Sequence, residues 1–188
     1  MCKKLQTLCA LVLLTCMHVN AQEEYTLKPG QLKANISIPG LSASYELRLF
    51  PYSTLNLEAG IVMAVGYSDL KYDGFRWLYA ALPVFSGEVR QYYGLSRRAA
   101  KGKHMNNNAG NFFSLTGGVR AAPVFSKNFY VQDERSYGFI IPAWGMQRSW
   151  GKHISFEARF GWIFKPVYYY MEAKNAPSVR LNFGYVIR

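Results

Sequence analysis

The most regular stretch of the chain lies near its C-terminus. There Val179, Leu181, Phe183, Tyr185 and Ile187 alternate with Ser178, Arg180, Asn182, Gly184 and Arg188. Successive side chains of a strand point to opposite faces, so this segment predicts a strand with one apolar and one polar surface. The same division runs through residues 54–68, where Leu55, Leu57, Ala59, Ile61, Met63, Val65 and Tyr67 oppose Thr54, Asn56, Glu58, Gly60, Ala64, Gly66 and Ser68. In residues 153–166, Ile154, Phe156, Ala158, Phe160, Trp162 and Phe164 oppose Ser155, Glu157, Arg159, Gly161 and Lys165. Noisier versions occupy residues 41–50, 81–93, 111–125 and 137–150, and no segment has helical periodicity. Joints rich in Gly, Asn, Asp, Ser and Lys separate them, at 51–53, 68–74, 96–111, 126–136, 151–152 and 171–177. Seven strands are readable in this way, and residues 32–38, before Pro39-Gly40, offer an eighth. With no internal repeat and no linker, the pattern predicts a single all-β domain.

Many alternating strands build a sandwich or a barrel, and a barrel can turn either face inward. A soluble lipid-binding barrel would hold the apolar rows inside, whereas a transmembrane barrel sets them against lipid around a polar lumen. The apolar rows are rich in Phe, Trp, Tyr, Leu, Ile and Val, too bulky for the interior of an eight-stranded barrel. The polar rows carry Glu46, Glu58, Glu88 and Glu157 together with Arg48, Arg90, Arg120, Arg159 and Arg180. Acids and bases so placed would pair across a lumen, and Lys is concentrated in the joints instead. The last strand also ends the chain with alternating apolar residues, like the insertion signal of bacterial outer-membrane barrels. These features predict an antiparallel up-and-down transmembrane β-barrel of about eight strands, its lumen blocked by Glu/Arg pairs. Aromatic residues near strand ends, among them Tyr67, Trp77, Tyr79, Tyr92, Tyr93, Phe112, Phe113, Tyr137 and Trp150, would supply the interfacial girdles.

The N-terminus changes the charge and the compartment. Lys3 and Lys4 precede an apolar run from Leu5 to Met17 and the small-residue end Val19-Asn20-Ala21. That is the layout of a secretory signal peptide cleaved after Ala21, which leaves residues 22–188 as the barrel domain. All three cysteines, Cys2, Cys9 and Cys16, fall in the removed part, so the mature protein would have neither disulfide nor thiol chemistry. Leu14-Thr15 before Cys16 is a poor match to a lipidation site. Losing Lys3 and Lys4 takes the formal charge from +11 to +9. A mean hydropathy of -0.07 looks soluble, yet it is also the average expected of alternating lipid-facing and lumen-facing residues.

The segment GEVRQYYGLSRRAAKGKHMNNNAGNFFSL, followed by IIPAWGMQRSWGKH and the closing RLNFGYVIR, resembles the small outer-membrane β-barrel proteins of Bacteroidetes-type Gram-negative bacteria. The resemblance implies fold and location, the cell outer membrane, but no assigned activity.

Candidate chemistry is sparse. The run His153-Ile154-Ser155 resembles the His-x-Ser of outer-membrane lipid A 3-O-deacylases, and Glu157 would share the row. Neighbours in such a row stand about 6.5–7 Å apart, however, too far for a Ser-His hydrogen bond. The sequence therefore points away from an enzyme. No metal-ligand spacing and no phosphate-binding glycine motif appears, so no cofactor and no metal are expected. A basic loop carries Arg97, Arg98, Lys101, Lys103 and His104, followed by three asparagines. Such a charge run is ordinarily a solvated, flexible loop. It would otherwise meet an anionic partner such as lipopolysaccharide phosphate, peptidoglycan or another envelope protein. Outer-membrane lipid, lipopolysaccharide and, through the last strand, the barrel-insertion machinery are the expected partners; nucleic acid is not. With a periplasmic C-terminus, strand parity places residues 51–53, the basic loop and 151–152 on the periplasmic side. The same parity sends the joints at 68–74, 126–136 and 171–177 outward.

Overall fold

A computed structural model describes residues 26–38, 40–70, 74–127, 136–164 and 175–187. The segment expected to be a signal peptide, residues 1–21, lies outside the described residues, as do parts of the joints at 68–74, 126–136 and 171–177.

The chain begins with β1 (Gly30–Ser37), β2 (Gly40–Phe50), β3 (Ser53–Leu70) and β4 (Gly74–Tyr93). A six-residue helix α1 (Leu95–Ala100) and a single 3-10 turn (Asn106–Asn108) follow. The chain then continues through β5 (Asn111–Arg120), β6 (Phe125–Lys127), β7 (Tyr137–Trp150), β8 (Ile154–Ile163) and β9 (Ala176–Val186). Each long strand pairs antiparallel with its neighbours, and β1 closes the ring on β9 with Ile36 opposite Phe183. The result is a closed eight-stranded barrel plus the short β6. Closure pairs the strands around the full ring, which removes the long free edges of an open sheet.

The eighth strand is β1, where Gln31, Lys33, Asn35 and Ser37 alternate with Leu32, Ala34 and Ile36. Its two-residue turn into β2 pairs Ser37 with Gly40, whose φ of 147° is a conformation other residues rarely adopt. β6 is an interrupted continuation of β5. Both pair with β4, and the break between them spans Pro123. Ala121 N–H donates to Pro83 carbonyl at 2.9 Å and Val124 N–H to Ala81 carbonyl at 3.0 Å, carrying the ladder across it. The joint at 68–74 is much shorter than the sequence implies, because β3 runs to Leu70 and β4 starts at Gly74.

The barrel is inverted relative to a soluble one. Gln31, Lys33, Asn35, Ser44, Glu46, Asn56, Glu88, Arg90, Thr116, Gln147, Glu157 and Arg159 are all buried inside. Leu32, Ile36, Leu41, Leu47, Leu57, Ile61, Phe85, Leu115, Phe160, Val179 and Phe183 are exposed outside. The apolar core that does exist is a small cluster of Leu27, Tyr92, Leu95, Met105 and Phe112 at one end of the barrel.

Candidate functional site

Inward-facing positions of neighbouring strands bring the acids and bases together at mid-barrel. Arg90 lies at the centre: it reaches Glu88 at 2.6 Å, Glu157 at 2.8 Å and Glu46 at 3.9 Å. Arg159 meets Glu88 and Glu157, each at 2.9 Å, and lies 3.9 Å from Glu58. Arg180 is paired with Glu58. Glu46 is the most heavily bound carboxylate. It accepts from Lys33 at 3.0 Å, Gln31 at 2.5 Å, Thr54 at 2.9 Å and the Tyr92 hydroxyl at 2.7 Å. Among the described residues, four carboxylates (Glu46, Glu58, Glu88, Glu157) thus share one network with four cations (Lys33, Arg90, Arg159, Arg180). Opposite charges held out of water must be paired in this way, because an isolated buried ion costs several kcal/mol. The interior of so narrow a barrel leaves little room around them.

Two arginines expected to pair with these acids do not reach them. Arg48 sits at the end of β2 and donates instead to the Leu27 carbonyl at 2.9 Å, tying the segment before β1 across the mouth. Arg120 sits at the far end of β5, donates to the Tyr137 hydroxyl at 2.5 Å and lies 5.4 Å over its ring. In both cases the position along the strand, not the face, decides the partner. Lys33, by contrast, was not among the expected network residues. Its signal was the alternation Gln31, Lys33, Asn35, Ser37 against Leu32, Ala34, Ile36, which places a cation on the polar row of β1.

The expected flexible loop is instead a built plug. Leu95 anchors α1, and together with Met105, Asn107, Asn108 and Ala109 it turns inward and is buried. Asn107 and Asn108 hold φ of 53° and 58°, the left-handed region that asparagine tolerates better than most residues. The Asn107 side chain donates to the Lys152 carbonyl at 2.9 Å and accepts from Lys28 Nζ at 2.8 Å, while its backbone carbonyl accepts from Gln147. Asn108 Oδ1 accepts from Lys28 N–H at 2.8 Å, and Ser149 donates to the Asn106 carbonyl at 2.6 Å. Phe112 enters the lumen because Gly145 opposite it has no Cβ; one there would run into the ring. Arg90 lies 4.7 Å over the Phe112 ring, so the plug and the charge network touch. Replacing Asn107 with valine is expected to lower stability by about 1–3 kcal/mol, since a β-branched residue resists this conformation and both the Lys28 ammonium and the Lys152 carbonyl lose their partner. Thermal unfolding of the folded barrel in detergent would show the loss.

Of the basic loop itself, Arg97, Lys101, Lys103 and His104 are exposed and Arg98 is half-buried. Beyond the charge network, toward the opposite end, the lumen widens into a cavity of about 190 Å³ bordered by Glu58, Arg120, Arg159 and Arg180, with Phe139 and Ile141 on its wall.

The His-x-Ser row is not assembled as a Ser-His pair. His153 stacks on Tyr185 with its Nδ1 3.0 Å from the Val186 carbonyl, and Ser155 donates to the Gly184 carbonyl at 3.3 Å. Glu157 is taken up by Arg90 and Arg159. Among the described residues no cluster of His, Asp or Glu is arranged to hold a metal ion. No protein-family model matches the chain, and no curated protein and no solved structure matches it.

Proposed function

We propose that this protein is an outer-membrane β-barrel with a structural or envelope-interaction role and a lumen closed to ions. The observation that carries the reading is the inversion of the barrel. Its buried charged residues fill the inside while large apolar side chains cover the outside, on strands joined in a closed ring. In water such a wall is far larger than the exposed apolar patches soluble monomers carry; in lipid it is what a spanning barrel requires. Aromatic pairs support it: Tyr93 stacks on Phe113, Trp144 on Phe160 and His153 on Tyr185, toward the plugged end. The resemblance to the small outer-membrane barrels of Bacteroidetes-type bacteria and the signal-peptide-like leader belong to the same proposal. So does orientation, with the short turns at 51–52 and 151–153 and the plug facing the periplasm.

Two tests separate its parts. After cell fractionation the protein should stay with the outer membrane until detergent is added; release by buffer alone would return it to the soluble periplasmic barrels. In planar bilayers the refolded protein should give no steady conductance, because plug and charge network obstruct the lumen in series. A large, stable conductance would refute the closed lumen.

A further inference from the structure

The exposed cations of the plug are not scattered. Arg97, Arg98, Lys101 and Lys103 converge with Arg148 of β7 around a concavity of about 380 Å³ whose wall is completed by Tyr93. Its lining contains no carboxylate. The loop geometry fixes the arrangement. Leu95 is buried in the plug and holds α1 in place, while the backbone N–H groups of Lys101 and Lys103 both donate to the Arg98 carbonyl, at 3.2 and 3.1 Å. Gly102, at φ 63°, makes the turn between them. Arg148 is braced by the Gly110 carbonyl at 3.1 Å and Asn111 Oδ1 at 2.7 Å. Arg98 Nε is shielded from solvent and makes no hydrogen bond among the described residues. Five like charges held together with no carboxylate in the lining among the described residues favour an anion, and guanidinium groups match phosphate oxygens in geometry.

The other half of the concavity names the kind of anion. Tyr93 belongs both to this lining and to the outer apolar wall, where it stacks on Phe113 with centroids 5.3 Å apart and accepts a hydrogen bond from Trp144 Nε1 at 2.6 Å. The cationic concavity therefore opens onto the aromatic edge of the apolar surface. A ligand that fits both halves has a phosphate head and an apolar tail. Because the described lining offers no carboxylate to an ammonium group, a zwitterionic head is disfavoured. We infer that this concavity is a binding site for the headgroup of an anionic phospholipid, with Arg97, Arg98, Lys101, Lys103 and Arg148 around the phosphate and Tyr93 at the start of the acyl chains. The inference rests on the lipid-facing reading of the wall and adds a specific lipid class to it.

The test measures binding of short-chain phosphatidylglycerol and phosphatidylcholine to the folded protein in neutral-detergent micelles. Wild type should prefer phosphatidylglycerol, and the variant Arg97→Gln/Lys101→Gln/Lys103→Gln should bind it roughly tenfold or more weakly, since each basic residue near an anionic surface contributes appreciably. Lys127→Gln, at the other end of the barrel, should leave the preference intact. Equal binding of the two lipids by wild type, or undiminished phosphatidylglycerol binding by the triple variant, would overturn the site. Inorganic phosphate that competes as well as the lipid would overturn the lipid assignment in favour of a free anion. If the triple variant does not refold, Lys101→Gln and Lys103→Gln, both at exposed positions, are measured singly and should each weaken binding. A protein that stays dispersed once detergent is removed contradicts the lipid-facing wall. A detergent-dependent protein without lipid preference contradicts this site alone.

Discussion

Replacing Arg90 with methionine should lower the unfolding free energy by about 3–5 kcal/mol, the cost typical of removing one partner from a buried ionic cluster. The effect is large because Arg90 serves three carboxylates at once. Glu88 and Glu157, at 2.6 and 2.8 Å, would lose their shared cation, and Glu46, at 3.9 Å, its second. Arg159 remains beside Glu88 and Glu157 but already serves both, and Lys33 is committed to Glu46. The loss of the cation over Phe112 adds a smaller term at the plug. Arg48→Met is the matched control. It removes the same side chain from the polar row of β2, but that arginine is bonded to a backbone carbonyl, so its loss should cost only about 0.5–3 kcal/mol. Urea unfolding of the refolded barrel, followed by tryptophan fluorescence, would rank the two. Equal losses would mean that the central network does not hold the barrel closed.

The second large effect belongs to the outer wall. Leu115 lies midway along β5, opposite Val89 and Pro142, and its side chain is 55% exposed on the apolar face. If that face meets hydrocarbon, Leu115→Arg should cost about 2–4 kcal/mol in a bilayer, the range for a cation at the midplane of a spanning barrel. A half-exposed leucine on a soluble protein would tolerate the same change within about 0.5 kcal/mol. The sign of the opposite experiment is equally informative. His104→Leu, on the exposed plug surface outside the apolar band, should change stability little in either environment.

The period-two pattern made the barrel legible because a two-faced strand writes its burial directly into the sequence. The rows read from residues 54–63, 154–164 and 178–187 fall on the faces they occupy in the fold, and the acids among them meet in the lumen. What alternation could not convey is height along the barrel axis. Arg48 and Arg120 share the inward face with Arg90, yet they sit near the ends and bind a carbonyl and a tyrosine. β1 was harder to read because it is short and its outward row, Leu32, Ala34 and Ile36, is less bulky than those of the other strands. The plug was hidden for a different reason. Apart from Leu95 and Met105, its buried residues, Asn107, Asn108 and Ala109, are polar or small and aperiodic, and the asparagines are fixed by hydrogen bonds to Lys28, Gln147 and Lys152, far away in sequence. A charge run followed by asparagines reads as solvated loop, and only the cationic half of that segment is.

The claim on which the rest depends is that the apolar wall faces lipid, and the absence of cysteine after residue 16 offers a direct measurement. A fluorophore attached at Leu115→Cys, in residues 22–188 refolded into phospholipid vesicles, should be quenched by lipids carrying a quencher in their acyl chains and shielded from aqueous iodide. The same fluorophore at His104→Cys, on the exposed plug surface outside the proposed lipid site, should respond in the reverse order. Iodide quenching of the Leu115 position as strong as that at His104, with no effect of the lipid quencher, would contradict the account.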